Sequence, residues 1–261
     1  MTSSESAVQL SLFQIDNYGP WTVTPSPRRE TDLQSLQAQL YADLADFVGQ
    51  YDGYVFYDRF DNMLGITNGI DLETHGRFQR QVRNRYPVTI SIGVGAGPTP
   101  VDALGLASQQ LQAAGSAQDP ERTEILSASD VVVNATDDLT IAHFDVVDVT
   151  GSYTDRQNAA TTTIAIQRAT VELAAYLHDE LDSIARFVGG DNIIAVCPPL
   201  SSGSLDAARD HVYDLTGMDL QVGVGRGATA HEAGHRAKLA LEECRESGSR
   251  IHRISPQMTT D

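Results

Sequence analysis

Aspartates suited to holding a metal ion fall in two matched pairs along this 261-residue chain. Asp16 ends an alternating apolar run that begins at Val8, and Asp145 ends another that begins at Thr140. Asp61 and Asp191 each stand in a turn, each followed by an asparagine and an apolar run, Met63–Thr67 and Ile193–Val196. Two carboxylates packed in a low-dielectric crevice repel each other, and a divalent cation that coordinates both removes that cost. Oxygen-only ligands with water completing the shell favour Mg²⁺, which commonly bridges to substrate phosphates. Asp16, Asp61, Asp145 and Asp191 are therefore metal-ligand candidates, and Asp148 offers a further oxygen in the second half. Asn62 and Asn192 can orient phosphate or water through their amides. The loops Asn17-Tyr18-Gly19-Pro20 and Val149-Thr150-Gly151-Ser152 follow the first strand of each half and lead towards a helix, where backbone N–H groups can hold phosphates. Arg59 reads equally as a bidentate phosphate contact and as a solvated turn residue. Tyr18 and Phe60 are potential stacking faces for a base, with buried packing the stronger expectation.

The elements that position these residues repeat. Val88–Gly95 with Ala96–Ala103 matches Leu220–Gly225 with Arg226–Ala233 at a shift of 130, which also carries Phe60-Asp61-Asn62 onto Gly190-Asp191-Asn192. Gln14-Ile15-Asp16 matches His143-Phe144-Asp145 at a shift of 129. Within each half, apolar period changes from two to helical spacing and back. The first half reads as a strand to Asp16, a helix through Leu33–Val48, a hairpin of Tyr54–Tyr57 and Met63–Thr67, a helix Leu72–Tyr86, a strand Val88–Val94 and a helix Pro100–Ala114. The second reads as Thr140–Asp145, Thr161–Leu181, a hairpin within Ile184–Val196, Leu205–Thr216, Leu220–Val224 and Ala230–Glu246. This order predicts an α+β protein of two tandem ferredoxin-like (β-α-β-β-α-β) palm domains with antiparallel sheets. The expected domains are residues 1–120 and 121–261, with a polar linker from about Gly115 to Asp138. In such a sheet the first strand runs antiparallel to the second hairpin strand, so Asp16 should lie beside Asp61 and Asp145 beside Asp191.

Composition narrows the function classes. There are 35 acidic residues against 18 basic ones, and Lys238 is the one lysine. Such a surface repels nucleic acid backbones and anionic membranes, and suits a cytoplasm rich in salt. No stretch approaches the ~20 apolar residues of a membrane span. Residues 1–6 lack the charge and apolar core of a secretory signal and read as a disordered tail. Cys197 and Cys244 are too few for a disulfide framework or a cysteine zinc cluster, and read as buried thiols. His231-Glu232-Ala233-Gly234-His235 matches the H-E-x-x-H pattern of zinc proteases, but the same repeat position in the first half is Val101–Gly105, which favours an architectural helix. The glycines of 93–97 and 223–227 fit neither nucleotide-loop pattern and read as close packing against the following helix.

Certain segments carry a resemblance. Phe187-Val188-Gly189-Gly190-Asp191-Asn192, with Phe144-Asp145, Val222–Gly225 and Ala237–Leu241, resembles the palm domains of diguanylate and adenylate cyclases. Gln14–Pro25, Tyr57–Asn62, Ile66–Asp71, Arg83–Pro87 and Gly115–Asp119 are similar to the archaeal GTP cyclohydrolase III family. The resemblance implies a cytoplasmic enzyme that opens the imidazole ring of GTP by hydrolysis and releases phosphate. Its product would be 2-amino-5-formylamino-6-ribosylamino-4(3H)-pyrimidinone 5′-monophosphate, for flavin and deazaflavin synthesis. It further implies two or more Mg²⁺ ions, a monovalent activator such as K⁺, and a homo-oligomer. Asn17, Tyr18, Gly19, Arg59, Phe60, Gly189 and Gly190 are the residues expected at the nucleotide, and Asp61, Asp191, Asn62 and Asn192 those expected at the chemistry. Asn192 stands where a diguanylate cyclase carries glutamate, which argues against cyclic dinucleotide synthesis. A nucleotidyl cyclase and a non-catalytic GTP-binding module are the alternatives.

Overall fold

The computed structural model describes residues 7–129 and 139–256. The expected N-terminal tail and the stretch 130–138 of the expected linker lie outside the described residues. Apart from residues 99–101, the chain divides into two compact units at Asp137/Asp138.

The first unit contains β1 (Val8–Ile15), α1 (Tyr18–Val23), α2 (Glu30–Gly49), β2 (Tyr54–Tyr57), β3 (Asn62–Ile66), α3 (Leu72–Arg85), β4 (Ile90–Gly97), α4 (Pro100–Ala113) and β5 (Leu126–Ala128). Its sheet order is β2-β3-β1-β4-β5. The second unit contains β6 (Leu139–Val146), a π-helical turn at Thr150–Thr154, α5 (Ala159–Leu181), β7 (Ile184–Gly189) and β8 (Asn192–Cys197). It continues through α6 (Ser202–Thr216), β9 (Leu220–Gly227), α7 (Ala230–Ser247) and β10 (Ile251–Ile254), with order β10-β9-β6-β8-β7. Strands β1 and β6 lie central and antiparallel to both neighbours, the arrangement expected of the β-α-β-β-α-β core.

Two features go beyond that core. Each sheet gains a fifth strand, β5 or β10, paired parallel to β4 or β9. A parallel neighbour needs a long crossover, which α4 and α7 supply. β5 also places residues 126–128 in the first sheet, so the first unit runs past residue 120, where the sequence reading ended it. The strand escaped notice because three residues in a polar stretch show no usable alternation. In the Asn17–Pro20 loop Asn17 is a left-handed N-cap and Tyr18 already opens α1, which holds Pro20 in its first turn, where the missing N–H has no intrahelical acceptor to lose.

Helical spacing sets the packing faces. Leu36, Leu40, Leu44, Phe47 and Val48 bury one stripe of α2; Ile166, Ala169, Leu173 and Leu177 do so for α5. Asp71, Asn158, Ser201 and Thr229 cap α3, α5, α6 and α7 through side chains that accept a first-turn N–H. The strand glycines pack as expected. A Cβ on Gly93 or Gly95 would strike the carbonyls of Ala107 or Ala103 in α4, and on Gly223 or Gly225 those of Ala237 or Ala233 in α7. Cys197 and Cys244 are free and buried, and burial pushes the Cys197 thiol up to about 12. Among the described residues no helix is long and apolar enough to cross a membrane.

Candidate functional site

In the second unit β6 delivers Asp145 to the sheet edge, and the tip of the β7–β8 hairpin delivers Asp191. Pairing of Phe144 with Ile193 and of Gly189 with Asn192 sets this juxtaposition. The tip turns through Gly189 at φ 117° and Gly190 at φ 64°, conformations that favour glycine. Asp145 is 5% exposed and accepts hydrogen bonds from Gln221 Nε2 at 3.0 Å and Arg245 Nη2 at 2.8 Å. Burial, then the charge of Asp145 and a hydrogen bond to it, push the Asp191 carboxyl up to about 6. The expected carboxylate pair is therefore present here.

Asn192 supports the hairpin tip. Its Nδ2 donates to the Gly189 carbonyl at 3.3 Å, which leaves Oδ1 to accept from His143 Nε2 at 2.9 Å. Burial lowers the His143 pKa and favours the neutral ring, and the Asn192 Oδ1 acceptor places its proton on Nε2. The Asn192 amide is thus engaged by the protein, and its contribution is to position Asp191. Asp148 does not join the pair. It adopts φ 48°, is exposed, and accepts from Gly151 N–H at 3.2 Å and Ser152 Oγ at 3.1 Å, closing its own turn. Among the described residues no cluster of three or more His, Cys, Asp or Glu suited to a metal ion forms.

The first unit keeps the backbone geometry, but its register corrects the 129-residue match read from the sequence. Gln14 lies opposite Ser91 as Asp145 lies opposite Gln221, so Gln14 holds the place of Asp145, and Asp16 that of Val147. Ile15 N–H donates to the Asp61 carbonyl at 2.9 Å, so strand end and hairpin turn do meet. Asp16, 4% exposed, is held by Thr89 Oγ1 at 2.8 Å, Ser91 Oγ and the Glu124 backbone N–H at 2.9 Å. Asp61 instead accepts from Asn62 Nδ2 at 2.9 Å and lies 4.0 Å from Arg59 Nε. Asn62 is buried and also accepts from Gln14 Nε2 at 3.0 Å. The sequence expectation that Asp16 and Asp61 share one ion meets a carboxylate already satisfied by neutral donors.

The remaining candidates spread out. Asn17 takes φ 49°, and its Oδ1 is buried without a partner. Tyr18 stacks on Trp21 and accepts from Gln37, while Gly19 is exposed near Gln118. Arg59 is solvated, with a side chain 71% exposed. Phe60 was expected in the core, yet it is 54% exposed at φ 64°, lying against Tyr57. Sequence reasoning passed over Arg245, Gln221 and Arg122. The shift of 130 places Arg245 opposite Gly115 and Gln221 opposite Ser91, so a search for shared residues passes them by. The H-E-x-x-H segment is an end cap: Glu232 N–H donates to the Thr229 hydroxyl, and its carboxylate accepts from Ala228 N–H and Arg236. His231 and His235 are exposed.

The chain is similar to known proteins along nearly its whole length. A family model described as GTP cyclohydrolase III matches residues 10–258. The chain is 53% identical to GTP cyclohydrolase III 1 of Halobacterium salinarum over 251 residues, covering 95% of this chain and 98% of the relative. It is 53% identical to GTP cyclohydrolase III of Halorubrum lacusprofundi, covering 94% and 96%. With that of Methanococcus vannielii it shares 43% over 240 residues, covering 92% and 89%. Among solved structures, the GGDEF domain of DgcB from Caulobacter crescentus in complex with c-di-GMP aligns at TM-score 0.38 and 14% identity, covering 44% of this chain and 77% of that one. With a match that runs nearly end to end and covers both carboxylate rims, the chain belongs to the GTP cyclohydrolase III family.

Proposed function

We propose that this chain is an enzyme acting on GTP, opening the imidazole ring by hydrolysis and releasing phosphate, with metal and triphosphate held at the hairpin rim of the second unit. One observation carries the placement: Asp145 and Asp191 face each other, and burial with mutual repulsion raises Asp191 to about 6. At neutral pH that pair holds like charge at close range, and a cation relieves it. The donors are carboxylate oxygens, which suit Mg²⁺. Asp145 and Asp191 would hold it, and bound there it supplies charge neutralisation and acidifies water.

The chain's own residues do the positioning. Gln221 and Arg245 fix the Asp145 carboxylate, while His143 and the Gly189 carbonyl hold Asn192 and with it the tip carrying Asp191. The Arg245 side chain is 41% exposed beside the pair, where its guanidinium can meet a phosphate oxygen. Gly189 leaves open space where a Cβ would stand, so a ligand can approach the backbone. Further Mg²⁺, a K⁺ activator and homo-oligomeric assembly belong to the same proposal.

The test is product analysis with GTP, Mg²⁺ and K⁺. Loss of the purine absorbance with phosphate released and no formate supports the reading. A cyclic product that keeps its purine spectrum would make the chain a cyclase, and unchanged GTP would make it a binding module.

A further inference from the structure

A cavity of about 260 Å³ opens in the first unit between β1, the β2–β3 turn, α4 and the loop that follows α4. Arg122 lines it and is 4% exposed. Its Nη1 donates to Gln14 Oε1 at 2.9 Å, its Nη2 reaches the Leu111 carbonyl at a long 3.5 Å, and its Nε is buried without a partner. Among the described residues no carboxylate lies within ion-pair distance of this guanidinium. An arginine stays charged in proteins, and a buried charge without a counter-ion costs several kcal/mol. The second unit shows the contrast, because there Arg245 is committed to Asp145.

Arg59 also lines this cavity, and so does Asp58, which has contacts of its own. Arg59 has Asp61 4.0 Å from its Nε, so among the described residues the cation of the lining left without an ion-pair partner is Arg122. The volume falls just under the ~300–1,000 Å³ typical of small-molecule pockets and suits a tetrahedral oxyanion better than a whole nucleotide. We propose that this cavity is a phosphate-binding subsite that needs no metal, with Arg122 as the buried anchor and Arg59 as the cation at its mouth. Its occupant is a phosphate group, either free inorganic phosphate or the terminal group of a nucleotide. The Gln14 amide aims the anchor: Oε1 holds Arg122, while Nε2 is fixed by Asn62.

The test uses the full chain without divalent metal, at constant ionic strength. Inorganic phosphate is titrated by calorimetry, and melting temperature is followed with phosphate against chloride. Wild type should bind with saturation and melt higher in phosphate. Arg122→Met should abolish both effects, and without phosphate it should melt no lower than wild type, since it removes an uncompensated charge. Arg59→Ala, at an exposed position, should keep the fold and weaken binding about tenfold, the loss of one charge-assisted contact. If Arg122→Met does not fold, Arg59→Ala and the phosphate-dependent shift of the Arg122 Nε–H resonance carry the decision. Displacement of phosphate by GTP under these conditions would identify a nucleotide tail as the occupant; indifference to GTP would identify free phosphate. Equal melting in phosphate and chloride, or equal phosphate binding by wild type and Arg59→Ala, overturns the proposal. Metal-free phosphate binding is read apart from turnover, so this outcome is separable from that of the proposed activity.

Discussion

The two units share strand order, and their registers superpose with Gln14 opposite Ser91 where Asp145 lies opposite Gln221, so the rim aspartates Asp16 and Asp145 are two positions out of step and live in different electrostatic surroundings. Asp16 is surrounded by two hydroxyls and a backbone N–H, neutral donors that satisfy a carboxylate in place. Asp145 faces a second carboxylate, and Gln221 and Arg245 do not cancel the repulsion felt by Asp191. The cations are exchanged in the opposite sense: Arg245 pairs with Asp145, while among the described residues no acid pairs with Arg122. A duplicated fold can thus keep its backbone while its two copies set different charges around it.

The largest test of this contrast is a pair of substitutions. Asp191→Asn should reduce turnover of GTP by more than about 100-fold, beyond the 10–100-fold typical of outer partners of a metal ligand, while Asp61→Asn should stay within that range. Equal losses would break the asymmetry. Asp16→Asn should act on stability, costing about 2 kcal/mol in denaturant unfolding because a charge-assisted acceptor is lost in a buried setting. A turnover defect without a stability defect would return Asp16 to the chemistry. His143→Ala should lower kcat/KM by roughly tenfold through a loosened hairpin tip, with Mg²⁺ affinity falling in step.

A smaller effect concerns pH. In metal-free protein Asp191 binds its proton more tightly folded, at about 6, than at the ordinary 3.8. The folded state therefore loses relative stability as pH rises through that interval. Asp191→Asn should raise the melting point at neutral pH by the equivalent of about 1 kcal/mol, allowing for partial solvent screening, and the gain should vanish below pH 3.8. The smallest expected effect is none: His231→Ala with His235→Ala should leave turnover unchanged. A loss restored by zinc would revive the motif that the end cap of α7 explains.

Periodicity and the internal repeat made the core order and the Asp145–Asp191 meeting legible, because both follow from strand topology. The fate of Asp16 was hidden, since one of its donors is a backbone N–H 108 residues away. Asp148 was overcounted because a left-handed aspartate that closes its own turn has the same letter as a ligand. Arg122 and Arg245 stayed out of view because a repeat search rewards what two copies share, and these charges are where the copies part. Strands β5 and β10 were too short for any period to register.

The glycines of β9 act as a gauge for the rim. With no side chain at Gly223 and Gly225, α7 rests directly on the strand, and its far end carries Arg245 within reach of Asp145. Even one methyl group at Gly223 would lift the helix off its bed and draw the guanidinium away from the carboxylate. A displacement of ~1 Å at a reacting centre is enough to cost about 100-fold in rate. The placing of Arg245 against Asp145 is thus set by the absence of two atoms on the opposite side of a helix from solvent.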